Sequence, residues 1–389
     1  MDYKIVKYSE IGKIRSGKRL PKGYTVSEET SDNKYIRVRD ISNGSIDSSI
    51  VQYITDEAAK KLERYRVKTR DVIISVVGTV GAIAQIDESL NGAYLTENCD
   101  NLQVDESLCL KDYLKYYLLS EDGSKEIIAN TVGSTQPKLP IYGIENFNIK
   151  LPNIDNQKKI VKLLNSIDIK IKLNNEINNN LYELSNEIHK NWMNERKDRE
   201  TTNFINIKEL GKILMGQSPK GESYNYEFEG LPLINGAADY ENGYLKAQKY
   251  TTEPTKVAHY GDLVFCIRAT IGLLVVSDND YCLGRGVASI SNINELYKEY
   301  VFHIINNSID EFKRMATGSV ILGISREDIE KIKVIVPTEE EINKYHQIQK
   351  PLLDKMEIIR KENQVLINLR DTLLPRLMNG EIDLDNIEI

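Results

Sequence analysis

The sequence is poor in the residue patterns that build metal centres and covalent active sites. Four cysteines, Cys99, Cys109, Cys266 and Cys282, are scattered through 389 residues with no CxxC pair and no histidine at ligand spacing. That distribution argues against a disulfide framework and a zinc site, and it fits a reducing cytoplasm. The four histidines, His189, His259, His303 and His346, form no HExxH, and no serine occupies a nucleophile elbow. Gly216-Gln217-Ser218-Pro219-Lys220-Gly221 fails the GxxxxGK[ST] pattern of a phosphate-binding loop, and Gly284-Arg285-Gly286 lacks the third glycine and the following helix signal of a dinucleotide site. None of the ten prolines is followed by another, so the Asn/Asp-Pro-Pro-aromatic signature of amino-methyltransferases is missing. No apolar run approaches the roughly 20 residues of a membrane span, and Met1-Asp2-Tyr3-Lys4 has no signal-peptide core. These absences predict a soluble chain with no catalytic site, no bound metal and no cofactor of its own.

The net charge of −7 counts against a nucleic-acid binder that grips phosphate over its whole surface. Its distribution is uneven. Residues 338–389 hold seven Lys and Arg against eleven Asp and Glu, which accounts for four of the seven excess negatives. Lys13, Arg15, Lys18, Arg19 and Lys22 form a basic cluster, followed by Arg37 and Arg39. This segregation is compatible with local contact to DNA and with acidic protein interfaces.

What the chain does have is a statement made twice. Gly133-Ser134-Thr135 and Leu151-Pro152 recur as Gly318-Ser319-Val320 and Val336-Pro337, both 185 residues later. Gly12-Lys13-Ile14 with Gly17 matches Gly211-Lys212-Ile213 with Gly216, and Asp71 to Gly81 matches Asp262 to Gly272. Each copy carries short β-rich runs between Gly and Asn turns, with a strand at 72–77 or 263–267 and a helix near 110–119 or 296–305. The fold class is therefore α+β, with globular domains at 1–152 and 201–337, each followed by a helical segment, 153–200 and 338–389.

In the first helical segment, Ile160, Leu163, Leu164, Ile167, Ile171, Ile177, Leu181, Leu184 and Ile188 recur at three- and four-residue steps. A helix from 157 to 192 is roughly 50 Å long, more than one domain of this size covers. In the second, Leu352, Ile359, Leu366 and Leu373 recur every seven residues. Two such helices can pair antiparallel as an intramolecular coiled coil, with Asn174, Asn178 and Asn363 favouring one register. Pro351, which lacks an N–H, is expected to begin the second long helix after a shorter one, and Pro375 to limit its far end.

Leu369-Arg370-Asp371-Thr372-Leu373-Leu374-Pro375-Arg376-Leu377-Met378-Asn379-Gly380-Glu381-Ile382 resembles the LR..LLP.L.(S/N)GE(I/V) signature of the specificity subunits of type I restriction-modification systems. Leu151-Pro152, Gln157-Lys158-Lys159-Ile160-Val161 and Leu181-Tyr182-Glu183 to Trp192 resemble that family's first repeat helix, with Met193 where an aromatic residue is common. The resemblance implies two target-recognition domains, each reading one half of a split DNA site, and helices that act as spacer and dock. It further implies two methyltransferase subunits and restriction subunits as partners, with S-adenosylmethionine and ATP bound by those partners. The rival reading is a non-catalytic coiled-coil scaffold carrying two protein-binding modules.

Under this reading the DNA contacts of the first domain are Lys18, Arg19 and Lys22 for phosphates, with Arg37 and Arg39 alternating on a strand toward base edges, since Arg donates two bonds to guanine. Gln136 and Lys138 join them, contrasting with Ile321 and Gly323 in the second copy. In the second domain the candidates are Gln217, Lys220, Asn235, Arg268 where the first copy has Val77, and Arg285 where it has Glu97. A solvated basic face, or an ion pair for Arg268, is the plainer alternative; Ser319 is read as a turn residue. Trp192, Leu369, Arg370, Leu374, Pro375 and Leu377 carry no catalytic chemistry and are expected to pack or dock subunits.

Overall fold

The doubled landmarks become a doubled topology in the computed structural model, which describes residues 3–382 apart from 43, 198, 200–202, 242 and 317–321. The chain divides into two compact units: unit 1 holds residues 3–172 and 364–382, and unit 2 holds 173–363. Unit 1 is built on a four-stranded antiparallel sheet in the order Gly12–Ser16, Cys99–Val104, Val72–Ser75, Ile83–Gln85. Unit 2 has the same order in Lys212–Met215, Val287–Ser291, Leu263–Cys266, Gly272–Val276. A second sheet in each unit contains one parallel pair, Lys34–Ile36 with Tyr94–Leu95 and Leu231–Ile234 with Tyr281–Leu283. A third antiparallel pair, Tyr3–Lys7 with Asn148–Pro152, recurs as Phe204–Asn206 with Lys333–Ile335. The central strands 72–75 and 263–266 are buried at every residue, which is why they read as unbroken apolar runs.

The helices expected at 110–119 and 296–305 are Lys111–Leu119 and Lys298–Met315, the latter running ten residues further on buried Phe312. In unit 1 the core gathers Tyr8, Tyr113, Tyr117 and Phe147 with Ile160 and Leu164 of the first long helix and Leu377 and Met378 of the second. Tyr3 donates its hydroxyl to the Leu377 carbonyl at 2.8 Å. In unit 2, His189, Trp192, Tyr300, His303 and Tyr345 form one aromatic cluster.

The long helices are Ile154–Lys197 and Glu339–Met378, and each contributes residues to both units. The second differs from expectation. It passes through Pro351 without a break, starting twelve residues earlier. Proline costs about 3 kcal/mol in a helix interior, but buried Ile342, Tyr345 and Gln349 anchor the turns before it, and buried Met356 and Ile359 those after. Pro375 does not end the helix either. The stop is Gly380, whose φ of 72° supplies the left-handed residue that closes a helix, with its N–H bonded to the Leu377 carbonyl.

Within unit 2 the helical segments run antiparallel, since Asn174 meets Asn363, Asn178 meets Met356 and Ser185 meets Gln349. Asn174 is buried and donates to Asn363 and Glu362, both at 2.8 Å, while Asn363 donates to Asn175 at 2.8 Å. A shift of register would strand these amides in an apolar seam, so they specify the pairing more than they stabilise it.

All four histidines fall in unit 2. His189 and His303 stack at 5.0 Å, His189 faces the Tyr345 hydroxyl at 2.6 Å, and His303 lies 2.9 Å from the Ser185 hydroxyl and 3.2 Å from the Asn186 amide oxygen. Burial lowers His189 to about 3, with the neighbouring His303 adding to the effect, and burial lowers His303 to about 4. Unfolded histidine takes up a proton near 6.5, so the unfolded state binds more protons below that pH. The stability contributed by the neutral pair is complete above about pH 6.5 and is lost progressively as pH falls toward the folded values. Unit 2 should therefore be about 2 to 3 kcal/mol less stable at pH 5.5 than at pH 7.5, with unit 1 free of this term. Amide exchange followed segment by segment at the two pH values checks it, and equal weakening of both units would contradict it.

Candidate nucleic-acid interface

In each unit the edge strand of the four-stranded sheet leaves through a glycine that passes against another backbone. A Cβ at Gly17 would lie 2.0 Å from the Thr96 carbonyl oxygen, and one at Gly216 would lie 2.1 Å from that of Gly284. Identical backbone bonds follow. Gly17 N–H reaches the Cys99 carbonyl and Lys18 N–H that of Leu95, as Gly216 and Gln217 reach Val287 and Leu283, all at 2.8 or 2.9 Å. These bonds make the side chains after the glycine, and those on the loop opposite, comparable position by position.

In unit 1, Lys18, Arg19 and Lys22 are exposed on this exit. Arg19 is 79% exposed and its Nε donates to the Glu97 carboxylate at 2.5 Å. Partial burial works to raise the Glu97 carboxyl, but the bonds from Arg19, its own backbone and Thr96 prevail and hold it below its ordinary value. A concave surface of about 390 Å³ opens here, lined by Arg19, Tyr35, Arg37, Arg39, Thr96 and Glu97.

Arg37 and Arg39 are not on a strand. The strand ends at Ile36 and the chain turns through a 3-10 segment at Val38–Asp40, because the buried Asp40 carboxylate accepts the Arg37 backbone N–H at 2.8 Å and draws the chain back. Arg37 bonds the same carboxylate through Nε and Nη2 at 3.2 and 3.0 Å, and it also donates to Gln52 and to the Ile50 carbonyl. Most of its donors are thus committed inside the unit, whereas Arg39 stays two-thirds exposed. Gln136 and Lys138 are exposed on the turn that bridges to Val77, outside the concavity. Asp100 is buried, and burial raises its carboxyl against the lowering pull of the Ser16 hydrogen bond and the Lys138 charge.

Unit 2 brings Gln217, Asn235 and Arg285 to the matching place. Arg285 Nε donates to the Ser218 hydroxyl at 3.2 Å. The two glycines of Gly284-Arg285-Gly286 serve this packing, since a Cβ on Gly284 or Gly286 would lie about 2 Å from Asn235 oxygens. Where unit 1 has Arg37 to Asp40, unit 2 has Asn235 to Asp239, and Asp239 accepts the backbone N–H groups of Asn235 and Gly236 without an arginine. Lys220 is exposed, 3.9 Å from Glu222.

Arg268 lies apart from that group, bridged to Gly323 as Val77 is to Lys138. A Cβ on Gly323 would sit 3.0 Å from Arg268 Cγ, so the missing side chain makes room for the arginine. The same bridge carries one cation in each unit, contributed by opposite backbones. Ser319 and Ile321 lie outside the described residues. Glu97, Ser218 and Asp40 are absent from the sequence-derived candidates, although Glu97 was already legible as the counterpart of Arg285.

The docking candidates divide. Leu377 is buried, Leu374 packs against the unit 1 core, and Arg370 reaches Asp168 at 3.3 Å in a network with Lys115 and Tyr116. Pro375 is half-buried and Leu369 is exposed. Trp192 packs edge-on against Tyr300 and Tyr345, with Arg196 over its ring at 3.9 Å. Among the described residues no helix is long and apolar enough to cross a membrane, and no cluster of three His, Cys, Asp or Glu could hold a metal ion. All four cysteines are buried free thiols.

The model of the type I restriction modification DNA specificity domain matches residues 1–183 and again 199–368. The chain is 27% identical over 378 residues to the protein of Methanocaldococcus jannaschii assigned as the MjaX type I restriction enzyme specificity subunit, covering 89% of this chain and 86% of that one. It is 21% identical to the MjaIX specificity subunit of the same organism, covering 99% and 95%. The crystal structure of a type I restriction-modification S subunit from M. genitalium shares the fold, with a TM-score of 0.61 at 16% identity over 97% of this chain and 96% of that one.

Proposed function

The chain belongs to the type I restriction-modification DNA specificity family, and on that premise we propose that its two units each read one half of a bipartite duplex site. The observation that carries the proposal is the pairing of one topology with different side chains at matching places: Arg19 and Glu97 in unit 1 against Ser218 and Arg285 in unit 2, and Val77 and Lys138 against Arg268 and Gly323. A shared scaffold with exchanged donors and acceptors suits two different half-sites. Lys18, Lys22, Lys220 and the exposed Arg39 would meet phosphates, while Gln136, Gln217, Asn235, Arg268 and Arg285 face the bases, and Arg37 holds the turn that presents Arg39.

The long helices would dock two methyltransferase subunits, with exposed Leu369 at the surface and Trp192, Arg370, Leu374, Pro375 and Leu377 keeping the helix ends in place. Those partners would bind S-adenosylmethionine and flip the target adenine, and a restriction subunit would use ATP, all in the cytoplasm. The full chain assembled with methyltransferase subunits is expected to direct methylation to a split site. The isolated chain is expected to transfer no methyl group, and turnover by it alone would end this reading. Retention of neither DNA nor methyltransferase in a pulldown would favour the scaffold instead.

Arg268→Ala tests one contact. If Arg268 reads a base, its loss should weaken discrimination at one position of one half-site by about 1 to 3 kcal/mol, seen as a relaxed base in a methylation map. A loss uniform over all sequences would make Arg268 a phosphate contact.

A further inference from the structure

Glu97 and Arg285 occupy one position. Each lies two residues after the carbonyl that receives the strand-exit N–H, Leu95 or Leu283, and two before the residue that begins the strand paired with the edge strand, Cys99 or Val287. Each is joined to the residue two beyond the exit glycine, Arg19 or Ser218. The acid of one unit and the base of the other therefore stand at the same point of the same frame.

A phosphate grip does not explain Glu97. Its carboxylate neutralises Arg19, the most exposed arginine of the concavity, and an exposed ion pair contributes little to folding. A carboxylate accepts hydrogen bonds and cannot donate them, which suits a base that offers an amino group in the major groove. Cytosine offers only N4–H₂ there, whereas adenine sets the acceptor N7 beside its amino group and would repel a carboxylate. Arg285 is the complementary case, two donors for the N7 and O6 of guanine.

Building on the bipartite reading above, we propose that this shared position selects one base in each half-site, Glu97 taking cytosine and Arg285 guanine, with Arg19 and Ser218 as the residues that orient them. Exchange of the pair should then exchange the base. The double variant Arg19→Ser with Glu97→Arg gives unit 1 the arrangement of unit 2. Glu97→Gln keeps the shape but adds a donor.

The full chain, assembled with its methyltransferase subunits, is given a library of randomised duplexes, and the methylated products are sequenced. In the wild type one position of the unit 1 half-site should prefer cytosine. The double variant should turn that preference to guanine by roughly 5- to 150-fold, Glu97→Gln should flatten it, and the other half-site should not change. Unchanged base preferences in variants that still methylate overturn the assignment, as does loss spread evenly over every sequence or abolished in both variants. Failure of the wild-type assembly to select any split site would instead bring down the bipartite reading, and this inference with it.

Discussion

Asp40→Ala is expected to cost unit 1 about 3 to 5 kcal/mol and to erase its half-site preference. The carboxylate is fully buried and receives the Arg37 guanidinium through two nitrogens as well as the Arg37 backbone N–H. Its removal leaves a largely buried cation with no counter-charge, which is far more damaging than never having placed the pair there. The 3-10 turn that presents Arg39 loses its anchor at the same time. Asp239→Ala in unit 2 removes only bonds to backbone N–H groups and should cost less, about 1 to 3 kcal/mol. Amide exchange over residues 34–53 distinguishes local opening of this turn from global unfolding. A cost below about 1 kcal/mol for Asp40→Ala would mean that the Arg37 charge finds water or another acceptor.

The second large effect is on spacing. Inserting seven residues after Asn178 and seven after Lys355 places the additions opposite each other, because Asn178 meets Met356, and it leaves the Asn174–Asn363 pair intact. Each long helix then grows by roughly 10.5 Å, about three base pairs at 3.4 Å. If the helices set the gap, methylation of a library with fixed half-sites and variable gaps should move to gaps two to four pairs longer, with reduced activity, because three pairs also rotate one half-site by roughly 100°. An unchanged preferred gap in a folded variant would remove the helices from that role.

Much of the architecture was legible because a repeat aligns itself. The match of Asp71 to Gly81 with Asp262 to Gly272 makes Val77 and Arg268 equivalent, and the bridges to Lys138 and Gly323 place them so. At Pro351 the proline rule fails because a local penalty of about 3 kcal/mol carries no information about the buried contacts on either side of it. Arg37 and Arg39 looked like alternating strand residues because nothing in the local pattern announces that Asp40 will be buried beneath them. The Glu97–Arg19 pair joins residues 78 positions apart, and neither spacing nor propensity reports a contact made through a shared backbone crossing.

The apportioning of residues between units also sets an order of events on the ribosome. Unit 2 is one uninterrupted stretch, 173–363, and has its whole core once residue 363 has emerged. Unit 1 begins earlier, but Leu373, Leu374, Leu377 and Met378, which pack in its core, are translated after all of unit 2. The expected order of completion therefore runs opposite to the usual precedence of the earlier-made domain. A nascent chain stalled before residue 364 is expected to carry a protease-resistant unit 2 behind a unit 1 that still lacks these core residues.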